Sequence, residues 1–422
     1  MDKKNILVFP CGSEIGLEIF NSLKYSRHIN LVGGSSVDDH GKFVYNNYIG
    51  NFPFINDDFF IPYLKKIIRK HKIDAIYPTM DEVIAKIKPF EKELGCKVIG
   101  SPAETNQICL SKEKTYELLH NQIQIPKIYQ SINEIENFPA FIKPKIGYGS
   151  RGAYKINTIK EAEFHLEKCP DCLIMEYLSG EEYTVDCFTD RKGKLRFVGP
   201  RKRNRIKMGI SVNSVPVNEK EEFEELAQII NQKMKFRGAW FFQLKKNDNN
   251  ELILLEVASR LGGSSSLNRY KGINFALLSV FDAFNYDIEI IENKMNIEID
   301  RALNTKIKIN YEFEHVYVDF DDCMIINEQV NTELMAKIYE WINMNKKIYL
   351  ISRHNQDIFH SLRQHKIAKE IFNEIIIIKN NEKKSNYIKH KNSIFIDDSF
   401  KERKEVANKL EIPVFAPDMI SL

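Results

Sequence analysis

The stretch KPKIGYGSRG, residues 143–152, combines three glycines with two lysines and an arginine. Glycines allow a loop to bring backbone N–H groups close to an anion, and the cationic side chains supply compensating charge. The stretch lacks the GK[ST] ending of a P-loop, and it is not a G-x-G-x-x-G sequence that opens a helix behind a first strand. It therefore predicts a phosphate-binding loop of a third kind.

A second chemically distinctive stretch is HVYVDFDDCMI, residues 315–325. Asp319 and Asp321 come at the end of an apolar strand and are separated by one residue. Two neighbouring carboxylates repel each other, and a bound metal ion is the usual remedy. The sequence thus predicts a metal-dependent site here, in addition to the phosphate-binding loop.

The composition is that of an ordinary globular protein: 422 residues, 43% hydrophobic and 28% charged, with a formal net charge of +3. This balance gives no global basic field, so we expect no nucleic-acid partner. No apolar run approaches the ~20 residues of a membrane helix, and the apolar part of the N-terminus is too short for a signal peptide. Seven cysteines without framework spacing fit reduced thiols. We expect a cytoplasmic protein without a membrane partner, and self-association into a homo-oligomer stays open.

The pattern of elements indicates three domains of mixed α/β and α+β class. From the N-terminus, short apolar runs alternate with amphipathic segments, which is typical of a parallel, Rossmann-like α/β layer. Residues 111–126 predict a helix that begins after Ser111 and ends at Ile125-Pro126, and antiparallel strands follow it. Near residue 310 the α/β pattern returns. The predicted domains are residues 1–104, 105–310 and 311–422.

Four blocks of the first 310 residues resemble the ATP-grasp superfamily in their order and spacing. They are EKT around Lys114, the glycine-rich loop, LIMEYLSGEEYTV and FFQLKKNDNNELILLEVASRLGG. The resemblance implies a Rossmann-like layer followed by an ATP-grasp nucleotide-binding domain. It also implies ATP and Mg²⁺ as cofactors.

The resemblance implies an ATP-binding set that is spread over these blocks. Its members are Lys114, with Lys112 as a competitor, Lys143, Gly147, Gly149, Ser150, Glu176, Tyr177, Leu178 and Glu182. The lysines and the loop would hold phosphates. The backbone of residues 176–178 would meet the adenine edge, and Glu182 would accept from ribose hydroxyls. Taken without the other blocks, residues 176–182 would be better interpreted as an amphipathic hairpin with a charged rim.

The metal-binding block departs from the ATP-grasp pattern at one position. The family carries an acidic residue or glutamine on one strand and E-x-N on the next, and these positions here are Gln243 and Glu256-Val257-Ala258. Since Mg²⁺ often retains several waters, Gln243, Glu256 and phosphate oxygens suffice for one ion. Alanine at 258 leaves a second ion short of a ligand. Arg260 matches the family arginine that stabilises the transferring phosphoryl group.

The resemblance implies that ATP phosphorylates a carboxylate and that an amine or thiol then displaces the phosphate. Arg203 and Arg205, in GPRKRNR, are candidates for binding the acceptor carboxylate, with a solvated charge run as the alternative. The small residues in GGSSSLNR, after Arg260, are expected to form the floor of that pocket. The identities of the acid and of the nucleophile are not readable from the sequence.

The C-terminal region carries four motifs, in order, that resemble the haloacid dehalogenase-like superfamily. The resemblance implies a Rossmannoid phosphatase domain in which Asp319 is the nucleophile and Asp321 the general acid and base. By the same resemblance, Ser352 and either Lys383 or Lys384 would bind the phosphoryl group. Either Asp397 or Asp398 would complete the Mg²⁺ site with Asp319 and Asp321.

The function predicted from the sequence is an ADP-forming carboxylate–amine or carboxylate–thiol ligase with small-molecule substrates, joined to a Mg²⁺-dependent phosphatase-like domain. Two alternatives stay open. In the first alternative, the middle domain phosphorylates a small molecule without ligation, because Ala258 replaces a metal ligand. The C-terminal domain would then remove that phosphate. The second is a non-catalytic nucleotide-binding module.

Overall fold

The computed structural model describes residues 2–147, 149, 151–303 and 311–419. The chain divides into two compact units, residues 1–303 and 304–422. The predicted boundary near residue 104 falls inside the first unit, so the N-terminal layer and the middle region form one compact body. Within the described residues, no helix is long and apolar enough to cross a membrane.

The N-terminal part of the first unit is a parallel sheet covered by helices. Its strands are β1 (Lys4–Phe9), β2 (Ile29–Gly34), β3 (Tyr48–Ile49), β4 (Ala75–Pro78) and β5 (Lys97–Val98). They pair in parallel in the order β3-β2-β1-β4-β5. Ile6, Leu7 and Val8 are fully buried because both faces of the sheet are covered. The alternating sequence pattern predicts such an α/β layer.

The helices of this layer place polar residues at one edge of the sheet. They are α1 (Glu14–Leu23), α2 (Gly41–Val44), α3 (Phe60–His71), α4 (Asp81–Ile87) and α5 (Glu91–Leu94). Ser13 caps α1 by accepting a hydrogen bond from the N–H of Gly16 at 3.0 Å. Asp81 is the first residue of α4. Because β1 and β4 are parallel neighbours, Ser13 and Asp81 follow strand ends at the same edge.

A four-stranded antiparallel sheet follows the layer. Two helices lead into it, α6 (Ala103–Leu110) and α7 (Lys112–Leu119). Its strands are β6 (Ile128–Tyr129), β7 (Ala140–Pro144), β8 (Tyr154–Ile156) and β9 (Cys172–Glu176), with α8 (Ile159–Lys168) before β9. The strand order is β6-β9-β7-β8. The glycine-rich loop therefore joins two adjacent antiparallel strands, β7 and β8.

Helix α7 is shorter than the predicted helix over residues 111–126. Ser111 caps it as expected, accepting from the N–H of Lys114 at 3.4 Å. The helix nevertheless ends at Leu119. Beyond it, the carbonyl of Gln124 accepts a hydrogen bond from the N–H of Leu254 at 2.9 Å, so the backbone is used in a tertiary contact instead of another helical turn.

A second antiparallel sheet forms the largest layer of the first unit. Its strands are β10 (Glu182–Thr189), β11 (Leu195–Lys207), β12 (Ile210–Pro216), β13 (Gly238–Lys246), β14 (Leu252–Ala258) and β15 (Ile299–Asp300), in the order β14-β13-β10-β11-β12-β15. Three helices belong to this region, α9 (Glu221–Lys233), α10 (Ser266–Tyr270) and α11 (Phe275–Ala283). Val185, Phe242 and Ile230 are fully buried between the sheet and α9. This core supports β13 and β14, which carry the predicted metal block.

The second unit is again a parallel sheet with helices. Its strands are β16 (His315–Val318), β17 (Ile325–Ile326), β18 (Gln329–Val330), β19 (Lys347–Ser352), β20 (Glu374–Ile377), β21 (Ser393–Ile396) and β22 (Val414–Phe415). The helices are α12 (Thr332–Asn343), α13 (Ile358–Gln364) and α14 (Phe400–Leu410). The sheet order is β20-β19-β16-β21-β22, and β17 and β18 form a separate two-stranded sheet. Strands β19, β16 and β21 are parallel neighbours, so Ser352, Asp319 and Asp397 meet at one edge.

Candidate active sites

Lys143, at the end of β7, is held inside the first unit by neutral oxygen atoms. Its Nζ donates to the hydroxyl of Tyr116 at 2.8 Å and to the carbonyl of Leu255 at 2.9 Å. The Tyr116 hydroxyl donates to the same carbonyl at 2.7 Å. Burial, reinforced by the nearby Lys112 ammonium, lowers the pKa of Lys143 to about 7. The side chain is thus fixed in position, and an anion bound nearby would favour its charged form.

The glycine-rich loop forms one wall of the space in front of Lys143. Gly147, Gly149 and Arg151 line this space, and Gly149 has a φ of 62°. Left-handed backbone of this kind favours glycine. Ser150, predicted to bind phosphate, lies outside the described residues, as does Tyr148.

The first cavity, of about 190 Å³, has an apolar end and a polar end. Phe141, Met175 and Leu178 form the apolar end. The polar end contains Lys143, Glu182, Gln243 and Glu256. Such a space accommodates a flat aromatic group at one end and an anion at the other.

The predicted hinge, residues 176–178, lines this cavity. The N–H of Glu176 already donates to the carbonyl of Lys127 at 3.0 Å, and its carboxylate accepts from the N–H of Lys127 at 2.9 Å. Glu176 is therefore occupied in joining β9 to the segment before β6. Tyr177 and Leu178 are the hinge positions whose backbone can meet a ligand.

Of the two competing lysines of α7, the structure places Lys112 at the cavity. Lys112 lines the space, and its Nζ donates to the carbonyl of Gly147 at 3.1 Å. Lys114, predicted to bind phosphate, is exposed and does not line the cavity. Residues two positions apart on a helix point in different directions, so only one of them can face the loop. Lys112, and not the predicted Lys114, is thus the lysine of α7 that lies at the cavity.

A second cavity, of about 480 Å³, adjoins the first. The two share Lys112, Arg203, Gln243 and Glu256 among their lining residues. The second cavity extends to the N-terminal layer, where residues 12–15 and 79–82 line it. Gly262, Gly263 and Ser264 also line it, as expected for a floor of small residues.

The metal block lies where the two cavities meet. Gln243 and Glu256 are directly paired across β13 and β14, and both side chains line both cavities. The amide oxygen of Gln243 accepts from Arg203 at 3.1 Å. One carboxylate and one amide oxygen fit a Mg²⁺ ion that takes its other ligands from phosphate and water. Ala258 lines the second cavity and offers no side-chain oxygen.

Arg260 is fixed by a residue of the N-terminal layer. Its Nε donates to Oδ2 of Asp81 at 2.7 Å, and its Nη1 donates to the carbonyl of Leu261 at 3.2 Å. The guanidinium carbon lies 5.2 Å from the ring centre of Phe241. These contacts direct Arg260 into the second cavity, where both it and Asp81 are lining residues. No motif in the sequence marks Asp81, although its position just after β4 places it at the edge of the sheet.

The arginines predicted to bind the acceptor carboxylate have other partners. Arg203 donates to Glu182, to Gln243 and, at 2.8 Å, to the carbonyl of Gly209. Glu182, predicted to accept from ribose hydroxyls, therefore also accepts from Arg203. Arg205 is exposed and lies 2.5 Å from Asp300, and it does not line either cavity.

Part of the first unit matches a known family. Residues 168–304 match a family model described as ATP-grasp in the biosynthetic pathway with Ter operon. The D-alanine–D-alanine ligase of Fusobacterium nucleatum is 37% identical over 101 residues, which are 24% of this chain and 35% of the ligase. The resistance protein VanA of Enterococcus faecium, of vancomycin/teicoplanin A type, is 25% identical over 206 residues, 42% of this chain and 59% of VanA. The chain thus spans less than two thirds of either relative.

The fold resembles that of a solved enzyme domain crystallised with MgADP, ADP and bicarbonate. The biotin carboxylase domain of the Hydrogenobacter thermophilus 2-oxoglutarate carboxylase has a TM-score of 0.59 at 13% identity, over 70% of this chain and 73% of that chain. Together with the family model, this similarity supports the ATP-grasp resemblance of the first unit.

The second unit gathers its acidic residues around one buried lysine. Lys384 Nζ lies 2.9 Å from Asp319 and 2.6 Å from Asp397. Lys383, the alternative, is exposed and lies 3.9 Å from Glu405. The structure therefore favours Lys384 as the lysine of this site.

Three carboxylates of this site are close enough to share a cation. Within the described residues, Asp319, Asp397 and Asp398 have ligand atoms within 4.8 Å of one another. Oδ1 of Asp319 is buried and has no hydrogen-bond partner there. Burial raises the pKa of Asp397 to about 6, because repulsion from Asp319 adds to burial while Lys384 opposes both. An unpartnered buried oxygen in such a donor set fits Mg²⁺.

Asp321 was predicted to contribute to the metal site, but its side chain is directed elsewhere. Its two oxygens lie 2.9 and 3.0 Å from Nδ1 of His354. Nε2 of His354 lies 2.7 Å from the hydroxyl of Ser361. Ser352 donates to Asp321 at 3.5 Å. The side chain of Asp321 is thus separate from the three clustered carboxylates, and His354 is a neighbour that the motifs did not reveal.

Replacing Lys384 by Met tests the charge balance of this cluster. We expect the second unit to lose about 3–5 kcal/mol of unfolding free energy near pH 8, because Asp319 and Asp397 would be buried without their cation. The loss should shrink as pH falls from 8 towards 6, because without Lys384 the pKa of Asp397 rises above its wild-type value of about 6 and protonation then removes the repulsion. Urea unfolding of the full chain, followed by fluorescence of Trp341 in a Trp240→Phe background, measures both effects. Lys383→Met is the matched control and should change stability by less than about 0.5 kcal/mol. Equal losses in the two variants would contradict the assignment.

Proposed function

We propose that the first unit is an ATP- and Mg²⁺-dependent ligase that activates a carboxylic acid as an acyl phosphate and releases ADP. One observation carries this proposal: the two cavities meet at Gln243 and Glu256. A nucleotide in the first cavity would present its terminal phosphate at this junction. An acid in the second cavity would approach the same phosphate from the other side.

The described residues provide for nucleotide binding along the first cavity. Phe141, Met175 and Leu178 would pack against the adenine, and the hinge backbone at Tyr177 would meet its polar edge. Lys143 and Lys112 would neutralise phosphate oxygens. Within the described residues the hydrogen bonds of Lys143 go to neutral oxygens, and Glu256 and Glu182 act on it only through space, so phosphate would be its first directly bonded anion.

Phosphoryl transfer requires charge stabilisation at the junction. Mg²⁺ held by Glu256 and Gln243 would neutralise phosphate charge and orient its oxygens. Arg260, locked by Asp81, would stabilise the charge that develops on the transferring group. An amine or thiol would then attack the acyl carbon, and phosphate would leave.

The relatives suggest the first substrates to test. Two of the proteins described above are a D-alanine–D-alanine ligase and VanA, and the aligned segments cover only part of each. Amino acids are therefore the first carboxylates and amines to try with this chain.

For the second unit we propose a phosphatase activity, with Asp319 as nucleophile and Asp321 as general acid and base. Asp319 has a buried oxygen free of hydrogen bonds and a cation 2.9 Å away, as an attacking carboxylate requires. Asp321 lies on the exposed side, within reach of a leaving group. A small-molecule kinase whose product the second unit dephosphorylates is the second candidate, because Ala258 removes one metal ligand.

Separate inactivation of the two units tests the proposal. In the full chain, Lys143→Ala and Glu256→Ala should each reduce amino-acid-dependent ADP release at least about a hundredfold while phosphatase activity on p-nitrophenyl phosphate stays unchanged. Asp319→Asn should do the reverse. Lys145→Ala is the control for Lys143, since Lys145 pairs with Glu113 at 2.7 Å.

Product analysis by mass spectrometry separates the candidate functions. A ligated product supports the ligase, whereas a phosphorylated acid that accumulates in Asp319→Asn supports the kinase. ADP release that persists in both Lys143→Ala and Glu256→Ala would defeat the site assignment.

Nucleotide binding should be linked to proton uptake. With a pKa of about 7, Lys143 is mostly neutral at pH 8 in the free protein, and phosphate would favour its charged form. We expect MgADP binding at pH 8 to take up close to one proton and to weaken as pH rises from 7 to 9. Calorimetry in buffers of different ionisation enthalpy measures this uptake. Lys143→Arg, charged at every pH used, should abolish it; unchanged uptake would assign the proton to another group.

A further inference from the structure

Strand β11 distributes its cationic side chains between two faces. Arg201 and Arg203 line the second cavity, whereas Lys202, between them, pairs with Glu181 on the opposite face. After Arg203 the register against β12 shifts, and Arg205 turns outward to Asp300. Both arginines are ion-paired, but Arg203 uses both of its Nη atoms, on Glu182, Gln243 and the carbonyl of Gly209. Arg201 is therefore the better candidate for a ligand of the second cavity.

Arg201 is built into a buried network that fixes its orientation. It is 3% exposed, and its Nε donates to Oδ2 of Asp186 at 2.8 Å. Its Nη1 donates more weakly to the hydroxyl of Ser214 at 3.4 Å. Asn268 donates to the same oxygen of Asp186 at 3.0 Å. Among the described residues, Nη2 of Arg201 makes no hydrogen bond, so one donor of a rigid guanidinium remains available.

The absence of a side chain at Gly262 keeps this donor open to the cavity. A Cβ at this position would lie 3.6 Å from Nη2 of Arg201 and only 2.8 Å from Oδ1 of Asp186. That oxygen of Asp186 is buried and unpartnered within the described residues. Gly262 itself lines the cavity. The floor of the cavity therefore lies directly over the Arg201–Asp186 pair.

We propose that Arg201 binds the carboxylate of the acid substrate and that Asp186 is the positioning residue that holds its guanidinium. This inference rests on the ligase function proposed above. A guanidinium with Nε occupied presents its Nη donors along one edge, which suits a carboxylate oxygen. The ion pair makes Arg201 less mobile, so the acid would meet a donor already in place. The cavity should accordingly select acids over neutral amides of the same shape.

A purely structural role would give the pair a different signature. Thr184 and Arg201 face each other across β10 and β11, so the ion pair also ties two strands together. If that were its whole purpose, its removal would lower stability and nucleotide affinity together. A substrate-binding role predicts loss of acid affinity at constant nucleotide affinity.

The variants are chosen to avoid an uncompensated buried charge. Arg201→Met combined with Asp186→Asn removes both charges at similar volume. Gly262→Ala keeps both charges but pushes against Asp186. Lys202→Ala, on the opposite face of the same strand, is the matched control.

Calorimetry on the full chain first measures MgADP binding. It then measures binding of D-alanine, L-alanine and succinate in saturating MgADP, with D-alaninamide as the probe that keeps the ammonium group and lacks the carboxylate. We expect at least one acid to bind the wild type more tightly than the amide. The double variant should weaken that acid at least about tenfold and keep the MgADP dissociation constant within about twofold. Gly262→Ala should weaken the acid as well, and Lys202→Ala should change neither affinity.

Each remaining outcome overturns the inference. Acid affinity that survives in the double variant would exclude Arg201 as its ligand. A joint loss of acid affinity, MgADP affinity and melting temperature would show a structural role only. If MgADP binds the wild type but none of the acids does, the cavity has no such carboxylate site. Failure of MgADP to bind the wild type would instead refute the ligase function from which the inference starts.

Discussion

A lysine ammonium buried against neutral oxygens is the constraint around which the first unit is arranged. Lys143 on β7 contacts Tyr116 on α7 and the carbonyl of Leu255 on β14, so one side chain joins both antiparallel sheets. Burying a cation without an opposite charge costs free energy, and the lowered pKa expresses that cost. Lys143 is nevertheless buried at a position that opens onto a cavity. Its neighbours, the glycine-rich loop and the pair Gln243–Glu256, then define what can reach the ammonium.

The second unit uses a buried lysine in the opposite way. Lys384 is surrounded by Asp319 and Asp397, so its charge is compensated inside the protein. The excess in this cluster is negative, because Asp398 is a third carboxylate nearby. A site with surplus carboxylates attracts a cation. Within the described residues no carboxylate contacts Lys143 directly, although Glu256 and Glu182 act on it through space, so an anion bound there would favour its charged form. The two buried lysines thus differ in how closely carboxylates approach them.

The sequence predicts the positions of side chains best where they follow from the end of a strand. Lys143, Asp319 and Ser352 come directly at or after apolar strands, and parallel or paired strands bring such positions together. The choice of Lys114 over Lys112 was less secure, because it depends on the rotation of α7 against the loop. In the structure it is Lys112 that contacts Gly147.

The other features that the sequence did not predict depend on contacts between distant parts of the chain. A register shift in β11 turns Arg205 outward, and no local pattern in a run of cations shows such a shift. The hydrogen bond between Gln124 and Leu254 ends α7 early, across more than a hundred residues of sequence. Asp81 and Asp186 were not found because each acts through an arginine that lies far from it in sequence or on another strand.

The contact between Asp81 and Arg260 links the evolution of the N-terminal layer to that of the rest of the first unit. A layer of this kind is easily regarded as an exchangeable module, because all five strands of its sheet and one of its hydrophobic clusters come from this part of the chain. Yet the arginine beside the metal block takes its orientation from the first residue of a helix in that layer. A recombination event that replaced the layer would have to supply a carboxylate at the same point in space. The two parts are therefore constrained to be inherited together.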